Sequence, residues 1–175
     1  GYLAGPLGLA AWAIGLVLGV RNFSQQGMFI VGGTLADRLG YKQVSIYMLE
    51  SISWMHYRNN DLLNALEASK EALRIAKEID DKPIIAKCLV GIAAIYFEEE
   101  KFKEAIDNFK LAATISKQAN DLVTYGRSMN NIGFSFIQLA EYDSASIYST
   151  SSLSVATKIN DLYIKGFSLR NFGEI

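Results

Sequence analysis

Cysteine, histidine and charge are all scarce in this chain. Of 175 residues one is a cysteine, Cys88, and one a histidine, His56. A single thiol excludes an internal disulfide and suits a reducing compartment. Cys88 falls on the helix face beside Leu89 and is expected in the core. A zinc site needs several Cys, His or carboxylate ligands together, and no such cluster accompanies His56. A nucleophilic triad likewise lacks its second member. No enzyme chemistry, metal or cofactor is therefore expected. Charged residues make up only 20 % of the chain, the formal net charge is −1, and there is no Lys/Arg run. That balance excludes the basic footprint of a nucleic-acid binder.

What the chain has instead is a repeat. Asp81, Asp121 and Asp161 close units that stand 40 residues apart: 42–81, 82–121, 122–161 and a partial fourth, 162–175. Leu49, Leu89, Met129 and Leu169 share a column, and so do Ile52, Ile92, Ile132 and Phe172. A period of this length is the mark of stacked supersecondary units. Leu89, Ile92 and Tyr96 lie on one helical face, and Ala105, Phe109, Ala112 and Ile115 on another. The polar run Glu98-Glu99-Glu100-Lys101 separates the two. Ala65, Ala105 and Ala145 form a column of small residues where two helices can approach closely. Asp81, Asn120-Asp121 and Asn160-Asp161 read as N-caps, and Pro83 suits a first helical turn. His56 stands in the aromatic column of Tyr96 and Phe136 and is expected to pack. The fold class is all-α, a solenoid of helix hairpins.

The pattern Ile92-Ala93, Tyr96, Ala105, Phe109, Ala112 resembles the tetratricopeptide repeat. It recurs as Ile132-Gly133, Phe136, Ala145, with Ser149 and Ser152 replacing the aromatic and the alanine. The usual period of that family is about 34 residues, so the chain is similar to its longer-repeat branch, seen in peptide-binding adaptors and regulators. The resemblance implies a scaffold that binds a peptide or partner helix, as a sensor or adaptor segment of a signalling protein does.

Residues 1–42 differ in kind. Gly1 to Val20 carry no charge at all, and a stretch apolar on every side suits lipid rather than a solenoid. A transmembrane-type helix, with membrane contact through residues 1–36, is expected ahead of the repeats of 43–175. Gly33-Thr34-Leu35-Ala36-Asp37-Arg38-Leu39-Gly40-Tyr41-Lys42 resembles the signature loop between the second and third helices of major facilitator transporters. Arg21 to Gly27 is similar to the second helix of their drug-efflux branch. In that resemblance Gly33, Asp37, Arg38, Gly40 and Lys42 carry the motif, although Tyr41 stands where a basic residue is usual. Arg38 and Lys42 place that side in the cytoplasm. No second long apolar run follows, whereas such a transporter needs about a dozen spans. The expectation is a fragment or fusion with its junction near Lys42–Val44. It is membrane-associated with cytoplasmic repeats, or simply cytoplasmic if 1–42 is foreign to them. The alternative function is a piece of a drug-efflux transporter.

First helices of stacked hairpins line the inner face of a solenoid. One inner column reads Ser51, Gly91, Asn131 and Asn171. Asparagine carries both donor and acceptor and can hold an extended peptide by its backbone. The resemblance implies the same role for Asn131-Ile132-Gly133 and Asn171-Phe172-Gly173. Asn130, Phe134 and Trp54 are expected nearby. Lys87, Arg127 and Arg170 add a basic lining suited to an acidic segment or a C-terminus. The partial fourth unit should leave an apolar face uncovered and invite self-association.

Overall fold

The computed structural model describes residues 40–175. They form seven α-helices: α1 Tyr41–Arg58, α2 Leu62–Glu78, α3 Lys82–Glu98, α4 Phe102–Gln118, α5 Leu122–Gln138, α6 Tyr142–Ile159 and α7 Leu162–Glu174. The expected transmembrane-type helix, with Gly33, Asp37 and Arg38, lies outside the described residues. Among the described residues, no helix is long and apolar enough to cross a membrane.

The turns show a period half that of the sequence columns. Asn60, Asp80, Glu100, Asn120, Ala140 and Asn160 all take a left-handed backbone, with φ between 53° and 59°. Five of these turns close in the same way. After α3, the Lys101 N–H donates to the Tyr96 carbonyl at 2.9 Å and the Glu100 N–H to Phe97 at 2.9 Å. This crossed pair satisfies carbonyls that a helix end leaves open. It also corrects the reading of Asn120 and Asn160: both terminate the preceding helix, because Asn tolerates the left-handed region. Among the described helices, only the aspartates cap through their side chains. Asp61, Asp81, Asp121 and Asp161 each accept the backbone N–H three residues on, and Pro83 sits in the first turn of α3. The break after α3 is Glu99 to Lys101, Glu98 being helical.

Second helices bury one narrow stripe in a shared register. In α2 it is Ala65, Ser69, Ala72 and Ala76; in α4, Ala105, Phe109, Ala112 and Ser116, with Ile106 and Ala113 buried beside it; in α6, Ala145, Ser149, Ser152 and Ala156. The three column alanines are fully buried, as close helix approach requires.

The described residues divide into two compact units, 40–79 and 80–175. In the first, α1 packs on α2. Ser53 Oγ donates to the Ala65 carbonyl at 2.9 Å and lies 2.7 Å from Ser69 Oγ. His56 Nδ1 stands 2.9 Å from Asp61 Oδ2, so its ring ties the helix end to the next N-cap as well as packing. Lys42 reaches Glu78 at 3.1 Å, a contact within the hairpin, and Gly40 is the N-cap residue of α1 with φ 69°.

In the second unit each helix packs on the next, and α3, α5 and α7 also touch one another in that order. Ala93, Ala105, Ile106, Phe109 and Ile132 form the core, flanked by Tyr96, Met129, Phe136 and Tyr148. Cys88 is buried, as its helix face predicts. The serine-rich α6 is tied in by hydroxyls. Ser152 Oγ donates to the Gly126 carbonyl at 2.9 Å, and Ser168 Oγ lies 2.8 Å from Ser152 Oγ, joining α5, α6 and α7. On α7, Leu162, Tyr163, Leu169 and Phe172 stay exposed.

Candidate functional site

Side-by-side packing of three first helices leaves a groove of about 330 Å³. Val90 of α3, Arg127, Asn130 and Asn131 of α5, and Tyr163, Ile164 and Phe167 of α7 line it. Val90, Ile164 and the two rings give an apolar wall. Arg127, Asn130 and Asn131 supply the polar edge. No carboxylate is among these residues.

The polar edge is held from behind. Asn171 is fully buried; its Nδ2 donates to the Asn130 carbonyl at 3.1 Å and to Asn130 Oδ1 at 3.1 Å. Asn130 Nδ2 then faces Asn131 Oδ1 at 3.5 Å. Asn131 and Asn171 share a sequence column, yet their surroundings differ. Asn131 is half-buried in the groove, whereas Asn171 has its amide spent on α5 and is not among the lining residues. Asn171 Oδ1 has no hydrogen-bond partner among the described residues.

The basic side chains separate too. Arg127 is exposed and its guanidinium lies 5.8 Å from the Tyr163 ring. Arg170 sits between Phe134 at 4.8 Å and Phe167 at 4.9 Å, and Glu174 is 3.5 Å from its Nε. Arginine stacks on ring faces because its planar cation meets their negative quadrupole. Phe134 in turn stacks on Phe97 at 5.2 Å. Lys87 is exposed on α3 and does not line the groove. Trp54 belongs to the other unit, where it stacks on Tyr57 at 5.5 Å.

Of the expected site residues, Arg127, Asn130 and Asn131 meet in the groove, with Arg170 held by the lining ring Phe167 and by Phe134. Val90, Tyr163, Ile164 and Phe167 were not foreseen. Phe167 had a signal, since it falls in the column of Lys87 and Arg127; Tyr163 shares its column with Pro83 and Val123 and had none. No group of three or more potential metal ligands occurs among the described residues.

Residues 49–118 match the tetratricopeptide repeat family. The TPR domain of Arabidopsis FLU superposes with a TM-score of 0.63 at 19% identity, covering 67% of this chain and 98% of that domain. At that identity the likeness shows the fold, a tetratricopeptide-like helical solenoid. A second likeness is short. An uncharacterized MFS-type transporter of Mycobacterium tuberculosis is 84% identical over 45 residues, 26% of this chain and 11% of the transporter. Multidrug resistance protein MdtH of Sodalis glossinidius is 55% identical over 40 residues, 23% of this chain and 10% of that protein. The chain thus spans about a tenth of the length of the transporters it matches.

Proposed function

We propose that this chain is a non-enzymatic protein–protein interaction module whose α3/α5/α7 groove receives an extended peptide or partner helix. The observation that carries the reading is the groove itself: an apolar wall facing an edge of asparagine amides and a guanidinium. Such a surface suits a peptide held by its backbone, with one apolar side chain seated beside it. Asn131 and Asn130 grip the backbone, Arg127 favours an acidic residue or a terminal carboxylate, and Asn171 and Arg170 brace the walls. Lys87 adds positive field along α3. A role as sensor or adaptor segment of a signalling protein fits the same groove.

The test is a peptide-array screen followed by fluorescence anisotropy on the best binders. Asn131→Ala combined with Arg127→Ala should weaken binding by more than ten-fold while far-UV circular dichroism stays unchanged. Unaltered affinity with intact helicity would remove the groove as the binding site.

The transporter matches support a second reading, in which the repeats are joined to a piece of a drug-efflux transporter. On that reading Gly33, Asp37, Arg38 and Gly40 belong to its loop and the repeats lie on the cytoplasmic side of a membrane. Sequencing the parent reading frame separates the two: about a dozen apolar spans mean a transporter, and one or none means a scaffold.

A further inference from the structure

Helix α7 carries the pattern of α5 at four positions and leaves them bare. Leu162, Gly166, Leu169 and Gly173 stand 40 residues after Leu122, Gly126, Met129 and Gly133. In α5 both glycines are covered. A Cβ on Gly126 would lie 3.2 Å from Val155 of α6 and 3.3 Å from Ile164 of α7, and one on Gly133 would meet Ser149 of α6 at 2.7 Å. In α7 a Cβ on Gly166 or Gly173 would have no neighbour within 4 Å among the described residues. Leu162 is 76 % exposed and Leu169 52 %. The four positions fall within about 60° of one another round the helix, on the side away from the buried Ile164, Ser168 and Asn171. Within one chain a bare glycine only weakens its helix.

The stripe is complementary to itself, because leucine and glycine alternate along it at steps of four, three and four residues. With two copies of α7 antiparallel about a twofold axis between Phe167 and Ser168, Leu162 lies opposite Gly173 of the second copy and Leu169 opposite Gly166. Each large side chain then enters the space that a glycine leaves, at four places over about 16 Å of helix. Parallel copies would set leucine on leucine and glycine on glycine, and pack neither. No charged side chain falls in the stripe. On one flank the antiparallel pairing brings Lys165 near Phe172 of the second copy, a cation beside a ring that is 36 % exposed.

From this we infer that α7 is a self-recognition surface, through which two copies of the chain pair antiparallel by Leu162, Gly166, Leu169 and Gly173. A twofold contact closes on itself, so assembly through α7 stops at the dimer. Two 13-residue helices bury less than a standard interface of about 1,600 Å². The dimer is accordingly weak, with a dissociation constant on the order of tens of micromolar. Tyr163 and Phe167 project about 90° or more round the helix from the stripe, so pairing leaves the groove open.

The test is a register swap in the full chain, read by sedimentation equilibrium. Gly166→Leu sets leucine against leucine, and Leu169→Gly sets glycine against glycine; each should weaken the dimer about ten-fold or more. Both changes together restore leucine opposite glycine and should return the dissociation constant to within about three-fold of the parent. Gly166→Leu meets open space within one chain and favours the helix, so its effect is not a folding defect; far-UV circular dichroism checks Leu169→Gly. Residues 1–39 are common to all four proteins, and any association through them cancels in the comparison. Oxidative cross-linking reads the contact directly, with Cys88 buried. Leu162→Cys combined with Gly173→Cys should give a disulfide-linked dimer. Either change alone should not, because like positions lie about 16 Å apart along the axis. Four outcomes overturn the proposal. No cross-linked dimer leaves the face to a different partner, and cross-linking of Leu162→Cys alone means parallel pairing. Association in Gly166→Leu as tight as in the parent or tighter means a merely sticky apolar surface, and a double swap no better than its parts removes the register.

Discussion

Helices α5 and α6 cross closely at Gly133. A Cβ on Gly133 would lie 2.7 Å from Ser149 Oγ and 3.3 Å from both the Ala145 carbonyl oxygen and the Ser149 nitrogen. Ser149 is fully buried and its hydroxyl has no hydrogen-bond partner among the described residues. Two consequences of opposite sign follow. Gly133→Ala gains about 1 kcal/mol of helix propensity but suffers overpacking of about 1–3 kcal/mol, so the net change is a loss of about 1 kcal/mol. Ser149→Ala removes a buried, unpaired hydroxyl, whose desolvation costs about 1–3 kcal/mol, and should stabilise by about 1 kcal/mol. The double variant loses the 2.7 Å clash while keeping the propensity gain. It should be at least as stable as Ser149→Ala alone, a coupling of about 1–2 kcal/mol in the cycle. The hairpin one period earlier supports this, because Ala93 occupies the Gly133 column there and is fully buried. Urea denaturation of the four proteins measures the cycle. Additive single changes, or a loss of stability in Ser149→Ala, would refute the reasoning. The first would mean the helices relax freely, the second that the hydroxyl has a partner.

Other outcomes follow from the turns and caps. Ala140 and Glu100 hold the left-handed backbone at φ 57° and 59°, a conformation that costs most side chains about 1–2 kcal/mol. Ala140→Gly and Glu100→Gly should each raise the melting temperature, by about 0.5–1 kcal/mol equivalent after glycine's own entropy is set against it; a fall in either would refute the turn assignment. Asp121 caps the Thr124 N–H at 3.1 Å and also accepts from the Thr124 hydroxyl at 2.6 Å, so Asp121→Ala should cost about 1 kcal/mol in thermal melts. In the first unit the Asn64 amide, followed by weaker help from His56, holds the Asp61 carboxyl below its ordinary 3.8. Arg74 lowers Glu71 and Lys42 lowers Glu78 in the same way. A carboxylate depressed on folding contributes stability that is present above its unfolded value and lost as pH falls through the folded one. The α1/α2 hairpin should therefore weaken below about pH 4, and Asn64→Ala should shrink the part due to Asp61. Acid melts of Asn64→Ala indistinguishable from those of the parent chain would contradict that assignment.

Much of the architecture could be read along the chain. The 40-residue columns gave helix pairs from Gln43 onward, the alanine column gave the close helix contacts, and the unit-closing aspartates gave three N-caps, to which the structure adds Asp61. Each of these is a local rule: a side chain's face on a helix, its volume, or its reach to an N–H three residues on. The turns show where local rules stop. Glu100 and Ala140 have no preference for a left-handed backbone. They adopt it because both flanking helices are already anchored by packing, so a 20-residue half-period appears in the backbone and not in the residue types.

The groove divides in the same way. Periodicity on its own determined that Arg127, Asn130 and Asn131 share the inner side of a first helix, because a helix repeats its faces whatever surrounds it. Only the tertiary structure decided that Asn171, in the same column as Asn131, turns into the protein. Its direction depends on the Asn130 carbonyl and amide of a helix 41 residues earlier in the chain. The orientation of a buried amide is chosen by which acceptors it meets, and that meeting exists only once α5 and α7 lie side by side.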